Sequence, residues 1–529
     1  MDSDPGTAPR RLRHSLRRFA LAGALVCWLL GAGASPAAAA PEGDVNFELH
    51  ADSSFDSYLT SSTSAQKTWM NEHYSTMLGY PPFFDQALSW APPASFYKDL
   101  YALYVNDPAD QAVVEQHPNW VLHDAQGNKL YIQFDCNGTT CTQYAADVGN
   151  QQFRDYWIND ATSTMSKGYD GLFVDDVNLE MKVSNGAGTF TRPIDPRTGQ
   201  PMTDADWRRY MAEFTEQIRA AFPDKEITHN SLWWMDRTDP YVQRQVAAAD
   251  YVYMERGFND TGIGGGSGQW SYQNYLGYAD WVHSQGAGVI PGAHGLNSTS
   301  AMFELASYLL ISNGGDRLST HYRATPADWW QGWDTNLGAA NGARYSWQGL
   351  LRRDFSGGIA LVNQPGASSV TVQLPSGVTW TDLNGNVVTS VTLGARQGAV
   401  LFSDAPPPSG TPDSSTSTGT TSGSTSGGTS GSTDTSTSTS TSGSTLTIKS
   451  NRKKVKSGRK VLLSGKAEAD SVEVRAYVDG SWQVVAQDDS VTEGSYSVAL
   501  KAKSPGVVQF KAAAPGLQES GTVSVKVKA

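Results

Sequence analysis

Between residues 45 and 340, short apolar runs that read as strands alternate with longer stretches of helical period, a pattern that few folds accommodate. The strand candidates are residues 45–50, a weakly defined run at 84–90, then 99–105, 171–175, 226–229, 251–255, 288–292 and 317–320. Helical spacing fills the gaps at 153–165, 207–221, 272–283 and 300–310. Eight strands over this length fit a (β/α)8 TIM barrel, which takes ~250 residues and more with insertions. An open doubly wound sheet is the competing α/β arrangement, but no Gly-rich phosphate loop follows the first strand.

Beyond the barrel the period changes to two. Residues 345–405 hold short alternating segments such as 358–363, 369–374 and 399–402, which predict a β-sandwich closing the barrel. Residues 409–445 contain only Ser, Thr and Gly apart from Pro412, Asp413 and Asp434. Such a stretch has no apolar surface to bury, so 406–445 reads as a disordered linker. Residues 446–529 alternate again, for instance at 472–478, 495–500 and 523–527, with turn signals at 479–480 and 493–494. They predict a separate small all-β sandwich and resemble the Ig-like modules appended to bacterial extracellular enzymes. The expected division is therefore 1–40, 41–344, 345–405, 406–445 and 446–529.

The ends and the cysteines speak to compartment. A basic segment at residues 10–18, an apolar run at 19–30 and an Ala-rich exit before Pro41 make a signal peptide. The apolar run is short for a bilayer span, which needs ~20 residues, so the mature chain is expected to carry no membrane segment. Cys27 lies inside that peptide, which leaves Cys136 and Cys141. In an oxidising compartment these two are expected to close a small disulfide loop. The formal charge of −12 is uneven: residues 1–40 and 446–529 are basic, so the body between them is strongly acidic. An acidic body excludes nucleic acid as the natural partner.

Functional groups of a barrel lie where its strands end. Asp170-Gly-Leu-Phe-Val-Asp-Asp176 brings two adjacent carboxylates to one strand end, and Tyr253-Met-Glu255 brings a third to another. Period-two alternation places Phe173 and Asp175 on one face and Val174 and Asp176 on the other, so a regular strand points only one of the pair inward. Asp175 is the favoured one; Asp176 then starts the loop as a sugar ligand or a capping residue. Asp175 and Glu255, from well-separated strands, are the candidate catalytic pair. His229, Asn230, Trp233, His294 and Asp316 lie near other strand ends and are candidate substrate ligands. For each of them, internal packing is the plain alternative. Nothing in the spacing of His, Asp and Glu suggests a metal, and no cofactor is expected. No Gly-x-Ser-x-Gly elbow points to an esterase.

The run Gly168-Tyr-Asp-Gly-Leu-Phe-Val-Asp-Asp176 resembles the predicted glycosyl hydrolase-like family 15. So do Asn119-Trp-Val-Leu-His-Asp124, Gly127, Asp147, Arg154-Asp-Tyr-Trp157, His229-Asn230 and Tyr253-Met-Glu255-Arg256-Gly257. The same features are similar to endo-α-1,4-polygalactosaminidase-like barrels. The resemblance covers about residues 80–400. It implies a glycoside hydrolase in which Asp175 takes the position of the family's strand-end carboxylate and Glu255 that of its partner. Hydrolysis of a glycosidic bond needs such a pair, one group to protonate the leaving oxygen and one to attack or to activate water. The general acid is expected at Glu255, in a less solvated site than Asp175. The expected partner is a polysaccharide or oligosaccharide, with the cell wall as a candidate ligand of the C-terminal module and a secreted or cell-surface location. The rival reading is a non-catalytic carbohydrate-binding barrel, which would keep the aromatic side chains without needing opposed carboxylates.

Overall fold

The computed structural model describes residues 41–410 (apart from 137, 139, 295, 296 and 321–323), residues 412–413, and residues 446–528. Within the last stretch 451–453, 457–459, 468–471, 479–480, 489–490, 492–494, 502–505, 515–519 and 521 are excepted. The expected signal peptide, most of the expected linker and both C-terminal turn signals lie outside the described residues. The described residues fall into two compact units, 41–413 and 446–528. Among the described residues no helix is long and apolar enough to cross a membrane.

The first unit is built on a closed eight-stranded barrel. Its strands are β1 (Phe47–His50), β2 (Thr76–Gly79), β3 (Ala94–Asp99), β4 (Gly171–Val177), β5 (Glu226–Ser231), β6 (Tyr251–Arg256), β7 (Gly288–Ala293) and β8 (Leu318–Thr320). Neighbours pair in sequence order, all parallel, and β8 closes on β1. Two expected strands are displaced. Residues 84–90 overlap a 3-10 turn, Phe83–Ala87, and the second strand is the short run before it. The third strand ends at Asp99 rather than beginning there, and residues 102–104 belong to a different sheet. Both true strands hide from a periodicity reading: β2 is four residues buried throughout, and β3 is interrupted by Ser95 and Lys98.

Helices α1 (Ser64–His73), α2 (Gln151–Met165), α3 (Asp204–Ala221), α4 (Pro240–Ala247), α5 (Tyr272–Ser284) and α6 (Ser298–Ile311) surround the barrel. Several start ahead of their apolar stripe because a capping side chain sets the first turn. Asn150 accepts from the amides of Gln152 and Phe153, Asn297 from those of Thr299 and Ser300, and Thr203 forms a capping box with Asp206. Alternate strand residues serve two cores. Leu78, Phe173, Tyr253 and Ile290 fill the barrel interior, with Tyr97 packed against them, while Val174, Val252 and Met254 join the core under the helices.

The sandwich at 345–403 is fused to the barrel through α6. Strand Gly358–Asn363 is buried on both faces: Ala360 and Val362 join the barrel core, while Ile359 and Leu361 pack against Val372 and Leu393 of the smaller sheet. The chain does not leave this unit at residue 405 as expected. The Pro408 carbonyl accepts from Arg352, Gly410 N–H donates to the Tyr345 hydroxyl, and the Asp413 carboxylate accepts from the amides of Gln348 and Gly349. Hydrogen bonds hold much of this tail, with Pro407 buried beside them, and a reading of apolar content overlooks such polar contacts. The second unit is all-β. A three-stranded and a five-stranded sheet share a core in which Leu463 and Tyr496 of the smaller meet Val474, Ala512 and Val525 of the larger.

Candidate active site

A cavity of about 810 Å³ opens at the C-terminal ends of the barrel strands, and Asp175, Asp176 and Glu255 all line it. Asp175 arrives as alternation predicts, two residues beyond the inward-facing Phe173. Three donors hold it. Asn230 Nδ2 and the Asp176 N–H reach Oδ1 at 2.7 and 2.8 Å, and the Tyr97 hydroxyl reaches Oδ2 at 2.6 Å. Burial, and then the carboxylate beside it, pushes the Tyr97 phenol well above its ordinary range, so it remains a proton donor.

Asp176 departs from the expected geometry. His229 pairs with Val174 and Ser231 with Val177, so three steps along β4 match two along β5. The extra residue is a bulge, and Asp176 takes it up with a left-handed φ of 55°. The bulge breaks the alternation and lets both neighbouring aspartates face the cavity. Asp176 Oδ1 accepts from Asn178 Nδ2 at 2.7 Å. Burial first, then the charges of Asp175 and Glu255, push its carboxyl up to about 7. Asp99, the β3 residue paired with Asp175, adds a fourth carboxyl. It is buried, accepts from the amides of Tyr101 and Ala102, and is raised by burial and by Asp176. The displaced reading of β3 hid it.

Glu255 stands near the end of β6 and is exposed, whereas Asp175 is half-buried. This reverses the expectation that Glu255 occupies the drier site. The backbone behind it is tightly fixed. Arg256 and Gly257 both have positive φ, and a Cβ on Gly257 would lie 2.1 Å from Glu304 Oε1. The buried Glu304 carboxylate, on α6, accepts from the amides of Phe258 and Asn259 at 2.8 and 3.0 Å. Burial raises it to about 8. An acidic residue inside the apolar run Phe303-Glu-Leu-Ala306 is the sequence signal that could have exposed this role.

The other expected ligands divide. Asn230, Trp233 and His294 line the cavity. Trp233 is almost wholly buried, with its ring 5.5 Å from that of the exposed Trp270. His294 is lowered by burial and by the neighbouring His50. His229 does not reach the cavity: alternation turns it outward, where Nδ1 meets Gln245 of α4 at 3.0 Å, and burial lowers it to about 3. Asp316 is also structural. It precedes β8 at the opposite end of the barrel and binds the Val289 and Asn313 amides and His283. Trp329 and Trp333 pack around Phe47, away from the cavity.

Part of the cavity wall is an antiparallel flap of four short strands, Ala102–Tyr104, Tyr131–Ile132, Gln143–Ala145 and Val183–Ser184. Cys136 and Cys141 are joined in a disulfide within its central loop, as expected. Arg197 braces the return from this flap, binding the buried carboxylates of Asp147 and Asp195. This is the structural role of the Asp147 singled out in the sequence.

The model of the hypothetical glycosyl hydrolase family 15 matches residues 86–359. No curated protein matches the chain. Among solved structures, the glycoside hydrolase domain of PelA from Pseudomonas aeruginosa is 15% identical over 53% of this chain and 96% of its own, at a TM-score of 0.32. TtGalA, an alpha-galactosidase from Thermus thermophilus, is 13% identical over 54% of this chain and 60% of its own, at 0.33. The alpha-galactosidase AgaA from Geobacillus stearothermophilus is 10% identical over 69% of this chain and 57% of its own, at 0.38. Likenesses this distant bear on neither substrate nor mechanism.

Proposed function

The chain belongs to the hypothetical glycosyl hydrolase family 15, whose model spans just over half of it, and from this premise we propose that it hydrolyses O-glycosidic bonds of a polysaccharide with Asp175 and Glu255. The observation that carries the reading is the fixing of Asp175 by three donors inside a cavity that it shares with Glu255. Two donors occupy the lone pairs of Oδ1, while Oδ2 accepts one and keeps the other lone pair. Oδ2 is therefore the oxygen that attacks the anomeric carbon or takes a proton from water. Glu255, two strands away around the barrel, protonates the leaving oxygen. Because Glu255 is exposed in the free protein, the bound glycan itself has to displace water from it.

A second arrangement is favoured by the raised carboxyl of Asp176. A group that holds its proton to about pH 7 suits the general acid, with Glu255 then assisting the water. The deciding experiment is a reducing-end assay of the full chain against a polysaccharide panel, followed by Asp175→Asn on whichever substrate is cleaved. A wild-type protein that binds glycans but releases no reducing ends would favour the non-catalytic carbohydrate-binding alternative.

We also propose export, on the residue 1–40 pattern, and an Ig-like accessory role on the cell wall for residues 446–529. The Cys136–Cys141 disulfide supports an oxidising destination.

A further inference from the structure

Exposed large apolar side chains are unevenly spread over the described residues. Of eight such side chains, Tyr80, Phe134, Phe190 and Trp270 line the candidate cavity. Phe134 and Phe190 are 63% and 61% exposed, and neither joins any packed core. Both stand on the flap. Phe134 follows the strand Tyr131–Ile132, which pairs with Val183–Ser184, and Ser184 in turn bridges to Phe190. Gln133 Nε2 donates to the Gly188 carbonyl at 3.3 Å, tying the two loops together, and the disulfide closes the loop that Phe134 enters. The loops after β5 and β6 supply further aromatic surface, where the 43% exposed Trp270 lies 4.3 Å from the Trp234 ring.

Apolar rings held out in water on a braced element mark a contact surface. Here they share one cavity with carboxylates and amides. That combination suits a ligand with apolar C–H faces and many hydroxyls. We propose that Phe134 and Phe190 form a sugar-stacking subsite on the flap, which holds a stretch of glycan chain beyond the scissile bond. The inference rests on the carbohydrate reading of the cavity.

The test uses full-length Phe134→Ala and Phe190→Ala, with Phe134→Tyr and Phe190→Tyr as conservative partners. Their melting temperatures check folding. Binding is read by affinity electrophoresis in gels containing galactomannan, xylan, dextran or glycol chitosan, with the Asp175→Asn background removing turnover. Cleavage is read as KM and product length on the polymer that is hydrolysed, and as kcat/KM on a short aryl glycoside of the same sugar. The alanine variants should weaken polymer retardation and raise polymer KM by about 10-fold, leave the aryl glycoside within about twofold, and be restored by tyrosine. Equal effects on polymer and aryl glycoside, unchanged polymer KM, or no retardation by any polysaccharide overturns the subsite. If the wild type cleaves nothing yet its retardation depends on Phe134 and Phe190, the subsite stands and the hydrolase reading falls. Cleavage of polymer with no dependence on either phenylalanine has the reverse meaning.

Discussion

Asp176 has a folded-state acidity opposed to its stability. Its carboxyl is raised from 3.8 to about 7, so between these values the folded protein binds more protons than the unfolded chain. Stability contributed by this group is therefore present at low pH and lost as pH rises toward 7. Asp176→Asn should leave the melting temperature unchanged near pH 4 and raise it at pH 8, by about 1–3 kcal/mol of stability. Thermal melts across that range check it; a uniform loss would mean that Asn178 needs the carboxylate more than the fold resents it. In kinetics, Asp175→Asn and Glu255→Gln should each lower kcat by at least ~10²-fold, with Asp176→Asn costing less. If Asp176 is the acid instead, its substitution should erase an alkaline limb centred near pH 7 and lower kcat as far as the other two.

The elements that carry these residues are held by a few long-range contacts. Arg197 joins Asp147, which precedes α2, to Asp195 in the excursion after β4, and both carboxylates are almost wholly enclosed. Arg197→Ala would strand two buried charges, a change that typically costs ~3–5 kcal/mol. Chemical denaturation should find a loss of at least about 3 kcal/mol, while the conservative Arg197→Lys should recover only part of it because it cannot make the bidentate contact. In the flap, Cys136→Ser with Cys141→Ser opens a very short loop, for which chain-entropy reasoning gives about 2 kcal/mol. Limited proteolysis should then cut first between residues 133 and 142. Cleavage elsewhere would show that the flap is braced by its strand pairing rather than by the bond.

At the scale of the molecule, the barrel and its sandwich act as one body because a single strand serves both cores, whereas residues 446–528 have a core of their own. A chain of residues 41–413 should keep the full-length kcat on a soluble substrate, and 446–529 should melt cooperatively by itself. The cut point matters. Ending at 405 removes the tail that satisfies Arg352, Tyr345 and the amides of Gln348 and Gly349, so that version should melt lower than 41–413. Identical melting of the two would mean that water replaces the tail without loss.

What the sequence determined by itself followed from short-range pattern. Period-two and helical runs specify strands and helices wherever they are long enough, so six of the eight barrel strands, four of the six flanking helices and the inward aim of Asp175 were legible. The two cysteines were legible as a pair because only two remained beyond the expected signal peptide. Tertiary structure decided the rest, because no local pattern records it. A one-residue bulge against β5 turns Asp176 into the cavity, although alternation alone sends it away. The same alternation, applied at β5, sends His229 under α4 and Asn230 to Asp175, once the register is known. Asp316 precedes its strand even in the sequence reading, at 317–320, so its place at the far end of the barrel was legible; only the structure shows that it serves there by holding the Val289 and Asn313 amides. Glu304 and Asp413 act on amides 45 or more residues away, which composition and periodicity do not encode. Local sequence chooses the elements and their faces; where a strand bulges, and which distant amide a buried carboxylate finds, depends on the packing of the whole chain.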